Sequence, residues 1–308
     1  MNSVESTCSL LREHFPGDVE ILQLRDLTTW QTGGPAVSAT VTSSVMLADL
    51  LGLTAREGIP WFILGQGSNI LASDEGCREV VIRLSGSMAL TAWHRFESGW
   101  NLVIGGGVHL PSLSGAACSR GASGLEFAIG IPGTVGGAVF MNAGAYGNSV
   151  ADSLKSVTVL DYRGSANTIV GEECCFGYRF SRFQKERTVI TGVELSLGID
   201  DPAVLRSEGK RILELRRKKF PLQYPNAGSV FRKPDEGIAP GKLIEDAGLK
   251  GRTVGGARVS RKHANFIINT GKATSEDIME LIDIVRESVL ACSGMLLKEE
   301  IRYLGRRD

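Results

Sequence analysis

The chain has 308 residues, a length for two domains or three small ones. Lys plus Arg and Asp plus Glu each number 34, so no global basic field invites nucleic acid and no acidic tail is present. No window approaches about 18 apolar residues, and "MNSVESTCSLLREHF" at the start carries early acid and no apolar run; neither a membrane span nor a secretory signal is expected, which points to the cytoplasm.

Residues 44–57 carry apolar side chains at 46, 47, 50, 51 and 53, with Ser43 or Ser44 as cap and Gly58 as stop, and predict a helix. "PWFILG" (60–65) and "EVVIRL" (79–84) read as strands, and "WNLVIGGG" (100–107) as a strand running into glycines. Residues 110–121 predict a short helix with proline near its start and glycine at its end. Alternation at 154–162 and 188–197 predicts two more strands. "DDPAVLRS" (200–207) reads as a boundary, followed by a basic helix over 208–220. The clearest helix is 274–292, capped by Thr274 or Ser275, with Ile278, Leu281, Ile282, Val285 and Val289 on one stripe. Residues 297–305 read as a final strand. Without strict alternation of strand and helix, the pattern predicts an α+β protein, glycine-rich to about residue 200, with a smaller C-terminal domain.

Glycine is the outlier, 38 where average usage gives roughly 22. The glycines cluster at 105–107, 121–147 and 228–256, which means tight turns or backbone held close to a ligand or to other backbone. Six cysteines at 8, 77, 118, 174, 175 and 292 form no C-x-x-C and are expected to be reduced, buried thiols. The four histidines, at 14, 94, 109 and 263, predict no metal site.

"WFILGQGSNIL" (61–71) places Gly65-x-Gly67-Ser68-Asn69 after a strand, where peptide N–H groups and short polar side chains can meet an anion. Ile70 stands where a dinucleotide fingerprint needs its third glycine, so a phosphate turn of another kind and an ordinary turn both stay open. A P-loop fails, since Leu243 follows Gly241-Lys242. The almost uncharged "GLEFAIGIPGTVGGAVFMNAGAYG" (124–147) can lie flat against a planar ligand or pack as a core turn. "RRKK" (216–219) is either a solvated helix end or a contact to nucleotide phosphates. Arg179 and Glu300 are single charges beside apolar residues, and His263 reads as a satisfied polar group rather than a ligand. Ser229 in "NAGSVF" sits behind a glycine, but no histidine is near and no nucleophile elbow is present.

"ILGQGSNIL", "GIPGTVGGAVFMNAGAYG", "GYRFSRF", "YPNAGSVF" and "GGARVSRKHANFIIN", in this order, resemble the UDP-N-acetylenolpyruvoylglucosamine reductase family, from "TTWQTGGPA" (28–36) to "EEIRYLG" (299–305). The resemblance implies a vanillyl-alcohol-oxidase/PCMH-type FAD-binding fold in two subdomains, 1–85 and 86–203, and a substrate domain over 204–308. It implies non-covalent FAD, held at its pyrophosphate by Gly65, Gly67, Ser68 and Asn69 with Ile70 beside them. Gly130, Ile131, Pro132, Gly133, Thr134, Gly136, Gly137 and Ala138 are then expected along the flavin. Arg179, Ser229 and Glu300 carry over as catalytic residues, and Tyr146, Lys219, Gly228 and His263 as substrate-side residues. NADPH and UDP-N-acetylglucosamine enolpyruvate are the implied partners of a monomer. Gln66 stands where Asn is common, Lys233 where some members use Asn for the nucleotide, and Phe180-Ser181 follows Arg179, unlike the Asp-Ser of one branch. No tyrosine-bearing insertion lies between 180 and 190, which resembles the family's second type, lacking the loop over UDP.

The implied reduction builds charge beside a carboxylate, which Arg179 suits as a permanent bidentate cation. Glu300 is expected to be protonated or to share a proton with Arg179. Ser229 is expected to give its proton to the enolate carbon from the face opposite the hydride. Three rival readings are a flavin oxidase with a covalent link at His109 or Cys118, a colourless nucleotide-sugar-binding protein, and a hydrolase using Ser229.

Overall fold

In the computed structural model, residues 3–234 and 237–305 are described. The first unit is a four-stranded sheet in the order Val19–Gln23, Pro35–Val41, Val80–Leu84, Trp61–Ile63. Its first pair is antiparallel and the rest parallel. Helices Val4–His14 and Ser44–Arg56 cover one face, and Leu11, Leu47, Leu50 and Leu51 are buried against Val37, Val80 and Ile82. Each such leucine contributes roughly 1.5–3 kcal/mol of burial. Ser43 caps the second helix through Met46 N, as its sequence position predicts.

The second unit is an antiparallel sheet in the order Ala166–Val170, Leu154–Asp161, Thr188–Ile199, Trp100–Gly105, Thr91–Arg95. Helix Leu110–Arg120, ended by a left-handed Gly121, and the short helix Val135–Phe140 lie on it around Leu102, Ile104, Phe127 and Val193.

The third unit holds the three-stranded sheet Thr253–Val254, Ala257–Val259, Ile267–Asn269 and helix Ser275–Ser293. Thr274 and Asp277 form a capping box, and Gly294 closes the helix. Several connections seat this unit on the first, two of them far apart in the chain. Trp30, from the N-terminal third, is fully buried in the C-terminal core and donates its Nε1 hydrogen to Ile267 O. The end of the chain returns as strand Arg302–Leu304, parallel to Ile70–Ala72.

Several elements differ from expectation. The basic helix begins at Pro202, with Asp201 as cap, so "DDPAVLRS" is its first turns and the 203/204 boundary falls inside it. Asp-Pro is a helix-start signal as well as a boundary signal. The last strand covers Arg302–Leu304 alone, because residues 298–300 pair elsewhere: Arg232 N donates to Lys298 O and Glu300 N to Val230 O. Strands Val19–Gln23, Pro35–Val41, Ile70–Ala72 and Thr91–Arg95, and the N-terminal helix, are additional to the expected set. Cys8, Cys77, Cys118 and Cys174 are buried free thiols, whereas Cys175 and Cys292 are exposed. Burial pushes the Cys77 thiol up to about 12, and Glu79 beside it adds to the effect. No helix among the described residues is long and apolar enough to cross a membrane. No His/Cys/Asp/Glu group among them could hold a metal.

Candidate active site

The three units meet around a cleft of about 890 Å³. One wall is bare backbone. Residues 65–69 turn sharply after strand Trp61–Ile63, with Gly67 at φ +60. A Cβ on Gly67 would stand 2.2 Å from Leu27 O, so no larger residue fits. Residues 130–138 lie opposite, stitched to 105–110 by Leu110 N to Gly133 O, Val135 N to Val108 O and Gly136 N to Gly106 O. The two loops are joined by Ser68 Oγ donating to Pro132 O at 2.9 Å. Among the described residues, the N–H groups of Gly65, Gln66, Gly67, Ser68, Gly133 and Thr134 donate to no protein acceptor. Unsatisfied donors on glycine-rich turns facing a cleft are the requirement for a pyrophosphate. The long apolar lining, from Phe62 and Ile63 to Ile131 and Ala138, suits a flat ring system. The residues present therefore fit FAD.

The other wall is made of side chains from three distant segments. Arg179 Nε donates to Glu300 Oε1 at 2.8 Å, and Arg179 Nη2 to Gly144 O at 3.0 Å. The pair is largely buried, with 24% and 13% of the two side chains exposed. Burial pushes the Glu300 carboxyl above its ordinary range, while the Arg179 and Arg232 cations pull the other way. The net direction is upward, so the folded protein holds the Glu300 proton more readily than a free carboxyl does. Ser229 is brought close by the chain beside it, where Glu300 N donates to Val230 O at 2.7 Å. Gly228 before it is left-handed, φ +76. No hydrogen bond to another described residue holds the Ser229 hydroxyl. Ser229, Arg179 and Glu300 all line the cleft.

The expected cofactor residues Gly65, Gly67, Ser68, Asn69, Ile70, Ile131, Pro132, Gly133, Thr134, Gly136, Gly137 and Ala138 line the cleft, as do Tyr146, Lys219 and Gly228, which were expected to face the substrate. Two residues lie elsewhere. Gly130 is a packing slot, since a Cβ there would stand 2.3 Å from Arg216 Cδ. His263 lies behind the lining, its ring 5.4 Å from Phe220 and 5.0 Å from Phe266. Its Nδ1 is buried without a partner, so it is not the satisfied polar group expected. Burial, then Lys219 and Lys250, hold its pKa low and the ring neutral. Gln66 lines the cleft, whereas Lys233 is exposed outside it. A short turn, Arg182–Gln184, leads from Arg179 to strand Thr188–Ile199 with no intervening insertion.

Sequence reasoning passed over Arg216 and Arg302 individually. Arg216 sits 5.1 Å over the Phe220 ring with its Nε unpaired, and burial pulls its pKa below the ordinary range. Arg302 lies 4.9 Å over Phe140 and is likewise desolvated. Both line the cleft. The signal for Arg216 was its place in "RRKK", where the helix period turns 216 and 219 toward the cleft together. His109, bonded to Ser112, and the buried Cys118 are not among the lining residues, which removes the anchor that a covalent oxidase needs.

The family model described as FAD binding domain matches residues 35–169, in keeping with the expected FAD-binding units. The model described as UDP-N-acetylenolpyruvoylglucosamine reductase, C-terminal domain, matches residues 220–304. A UDP-N-acetylenolpyruvoylglucosamine reductase of Heliobacterium modesticaldum is 44% identical over 281 residues, 90% of this chain and 88% of the relative. The UDP-N-acetylenolpyruvoylglucosamine reductase 2 of Symbiobacterium thermophilum is 42% identical over 96% of this chain and 95% of the relative. The crystal structure of UDP-N-acetylenolpyruvylglucosamine reductase from Thermus caldophilus superposes with a TM-score of 0.79 at 35% identity, over 93% of this chain and 98% of that one.

Proposed function

From the premise that this chain belongs to the UDP-N-acetylenolpyruvoylglucosamine reductase family, we infer that Ser229 is the proton donor of its reaction and that Arg179 and Glu300 hold the substrate carboxylate. The protein is an FAD-containing, NADPH-dependent oxidoreductase that reduces the C=C bond of UDP-N-acetylglucosamine enolpyruvate to UDP-N-acetylmuramate, a step of peptidoglycan precursor synthesis. That role ties it to cell-wall formation, cell shape and division.

When bound, FAD supplies hydride relay, from NADPH to the terminal alkene carbon of the substrate. The chain's residues handle charge and protons. Gly65, Gly67, Ser68 and Asn69 would hold the pyrophosphate, and residues 131–138 the flavin. Lys219 and Tyr146, which line the same cleft, would meet the substrate. As the alkene is reduced, charge passes to the neighbouring carbon and into the carboxylate. The Arg179 guanidinium faces that charge with a fixed cation in a desolvated setting. Burial raises the Glu300 carboxyl's hold on a proton, and in its protonated form it donates to a carboxylate oxygen rather than repelling it. Ser229 then delivers its hydroxyl proton to the basic carbon from the face opposite the hydride. Its free hydroxyl, one peptide from the backbone that pairs with Glu300, is the observation that carries this assignment. A hydrolytic role would need a base hydrogen-bonded to that hydroxyl, and no described residue makes such a bond.

The proposal extends to a cytoplasmic monomer with no nucleic-acid or membrane partner, supported by the balanced charge. It assigns the cofactor chiefly to the units that precede helix Pro202–Lys219 and the substrate to the unit that follows it, with Arg179 and Tyr146 contributed from the second unit. The test is anaerobic mixing of the purified yellow protein with NADPH and then with the enolpyruvyl sugar nucleotide. Colour should fade on the first addition and return on the second. A colourless protein, or one whose colour fades and does not return with the sugar nucleotide, would overturn the reading.

A further inference from the structure

We propose that Gln184 is a positioning residue that fixes Arg179 against the helix lining the flavin site. Arg179 holds a left-handed backbone, φ +52. A residue with a Cβ keeps that conformation only where its surroundings impose it. Gly177 and Phe180 exchange backbone hydrogen bonds of 3.0 and 3.2 Å, closing the turn on either side of Arg179. That leaves Arg179's own carbonyl in need of a donor. Gln184 Nε2 supplies it at 3.0 Å. The same nitrogen donates to Phe140 O at 2.9 Å and faces Met141 Sδ at 3.8 Å. Phe140 is the last residue of helix Val135–Phe140, so one amide ties the Arg179 turn to the flavin-side helix.

Two details make the tie specific to Arg179. With two carbonyl oxygens around it, the amide must present its nitrogen there, since the flipped form would set oxygen against oxygen. Phe140 O also accepts from Ser181 Oγ at 2.7 Å and stays satisfied without Gln184. Arg179 O has no second donor among the described residues. Losing the amide therefore frees the Arg179 turn while leaving the helix end bonded. The consequence appears at the guanidinium, whose bonds to Glu300 and Gly144 O depend on where that backbone stands.

The inference rests on the assignment of Arg179 to the substrate carboxylate, and Arg179→Ala serves as its control. Gln184→Met keeps the side-chain length and removes the donor; Gln184→Lys restores a donor. In Gln184→Met holoenzyme, flavin reduction by NADPH should run near the wild-type rate. Calorimetric binding of the enolpyruvyl sugar nucleotide to the oxidised holoenzyme should weaken on the order of tenfold, the scale of one lost hydrogen bond. Gln184→Lys should recover most of that loss, which a merely structural role would not require. Wild-type substrate binding in Gln184→Met, equal slowing of both half-reactions, or no recovery in Gln184→Lys would overturn the proposal. If Gln184→Met does not retain flavin, the lysine variant alone decides, since it must bind substrate within a few-fold of wild type. If Arg179→Ala itself binds substrate normally, the failure lies in the assignment of Arg179 instead.

Discussion

The two walls of the cleft are built on opposite principles. The cofactor wall is mostly backbone: loops 65–69 and 130–138 present peptide N–H groups, and six of their fourteen residues are glycine. The opposing wall is side chains: Arg179, Ser229 and Glu300 come from three segments and meet through one ion pair and one backbone bond. A backbone wall recognises shape and phosphate and is broken by adding atoms. A side-chain wall performs the proton chemistry and is broken by removing them.

This contrast can be broken most forcefully at Gly67. Its left-handed φ and the 2.2 Å approach of a Cβ to Leu27 O leave no room for a methyl group. Gly67→Ala should cost about 2–5 kcal/mol and strip the flavin, read as lost colour and a lowered Tm. Arg179→Ala, which removes many more atoms from the other wall, should stay yellow. A yellow, stable Gly67→Ala protein would end the comparison.

A smaller effect is expected where the first and third units are latched. Asp74 Oδ2 accepts from the backbone N and hydroxyl of the buried Ser275, and Asp74 Oδ1 accepts from Gly33 N. Ser275→Ala should cost about 1–3 kcal/mol in denaturant unfolding without changing flavin content. Loss of flavin there would show that the walls are not separable.

The smallest effect sharpens the side-chain wall. Glu300's pKa is raised above its ordinary value of 4.5, chiefly by burial. The folded protein thus holds that proton more tightly than the unfolded chain. The stabilisation is complete below 4.5 and is lost as pH rises through the folded value. Glu300→Gln should flatten the slope of stability against pH in that window, by at most about 1.4 kcal/mol per pH unit. An unchanged slope would mean that the carboxyl ionises freely.

The backbone wall was the more legible in sequence. Its demands on residue type are local, so Gly65, Gly67 and the run at 130–138 stand out in composition alone. The side-chain wall leaves no such trace. Arg179, Ser229 and Glu300 read singly as surface charges and a turn serine, and it was the family resemblance that joined them. Gly130 reads as cradle yet makes room for Arg216, because a glycine's spacing does not say which neighbour needs the space. Helix 274–292 was legible to within a residue at each end, since its cap and stripe are both local signals. The end strand was not, because the segment around Glu300 changes partners from residues 230–232 to residues 70–72, and only the assembled fold supplies both.

The central claim is that the Ser229 hydroxyl supplies the proton, and stopped-flow absorbance of Ser229→Ala holoenzyme tests it most directly. The account predicts NADPH reduction of the flavin near the wild-type rate and reoxidation by the enolpyruvyl sugar nucleotide slowed about 10²–10⁴-fold. Reoxidation at the wild-type rate, or equal slowing of both steps, would contradict it.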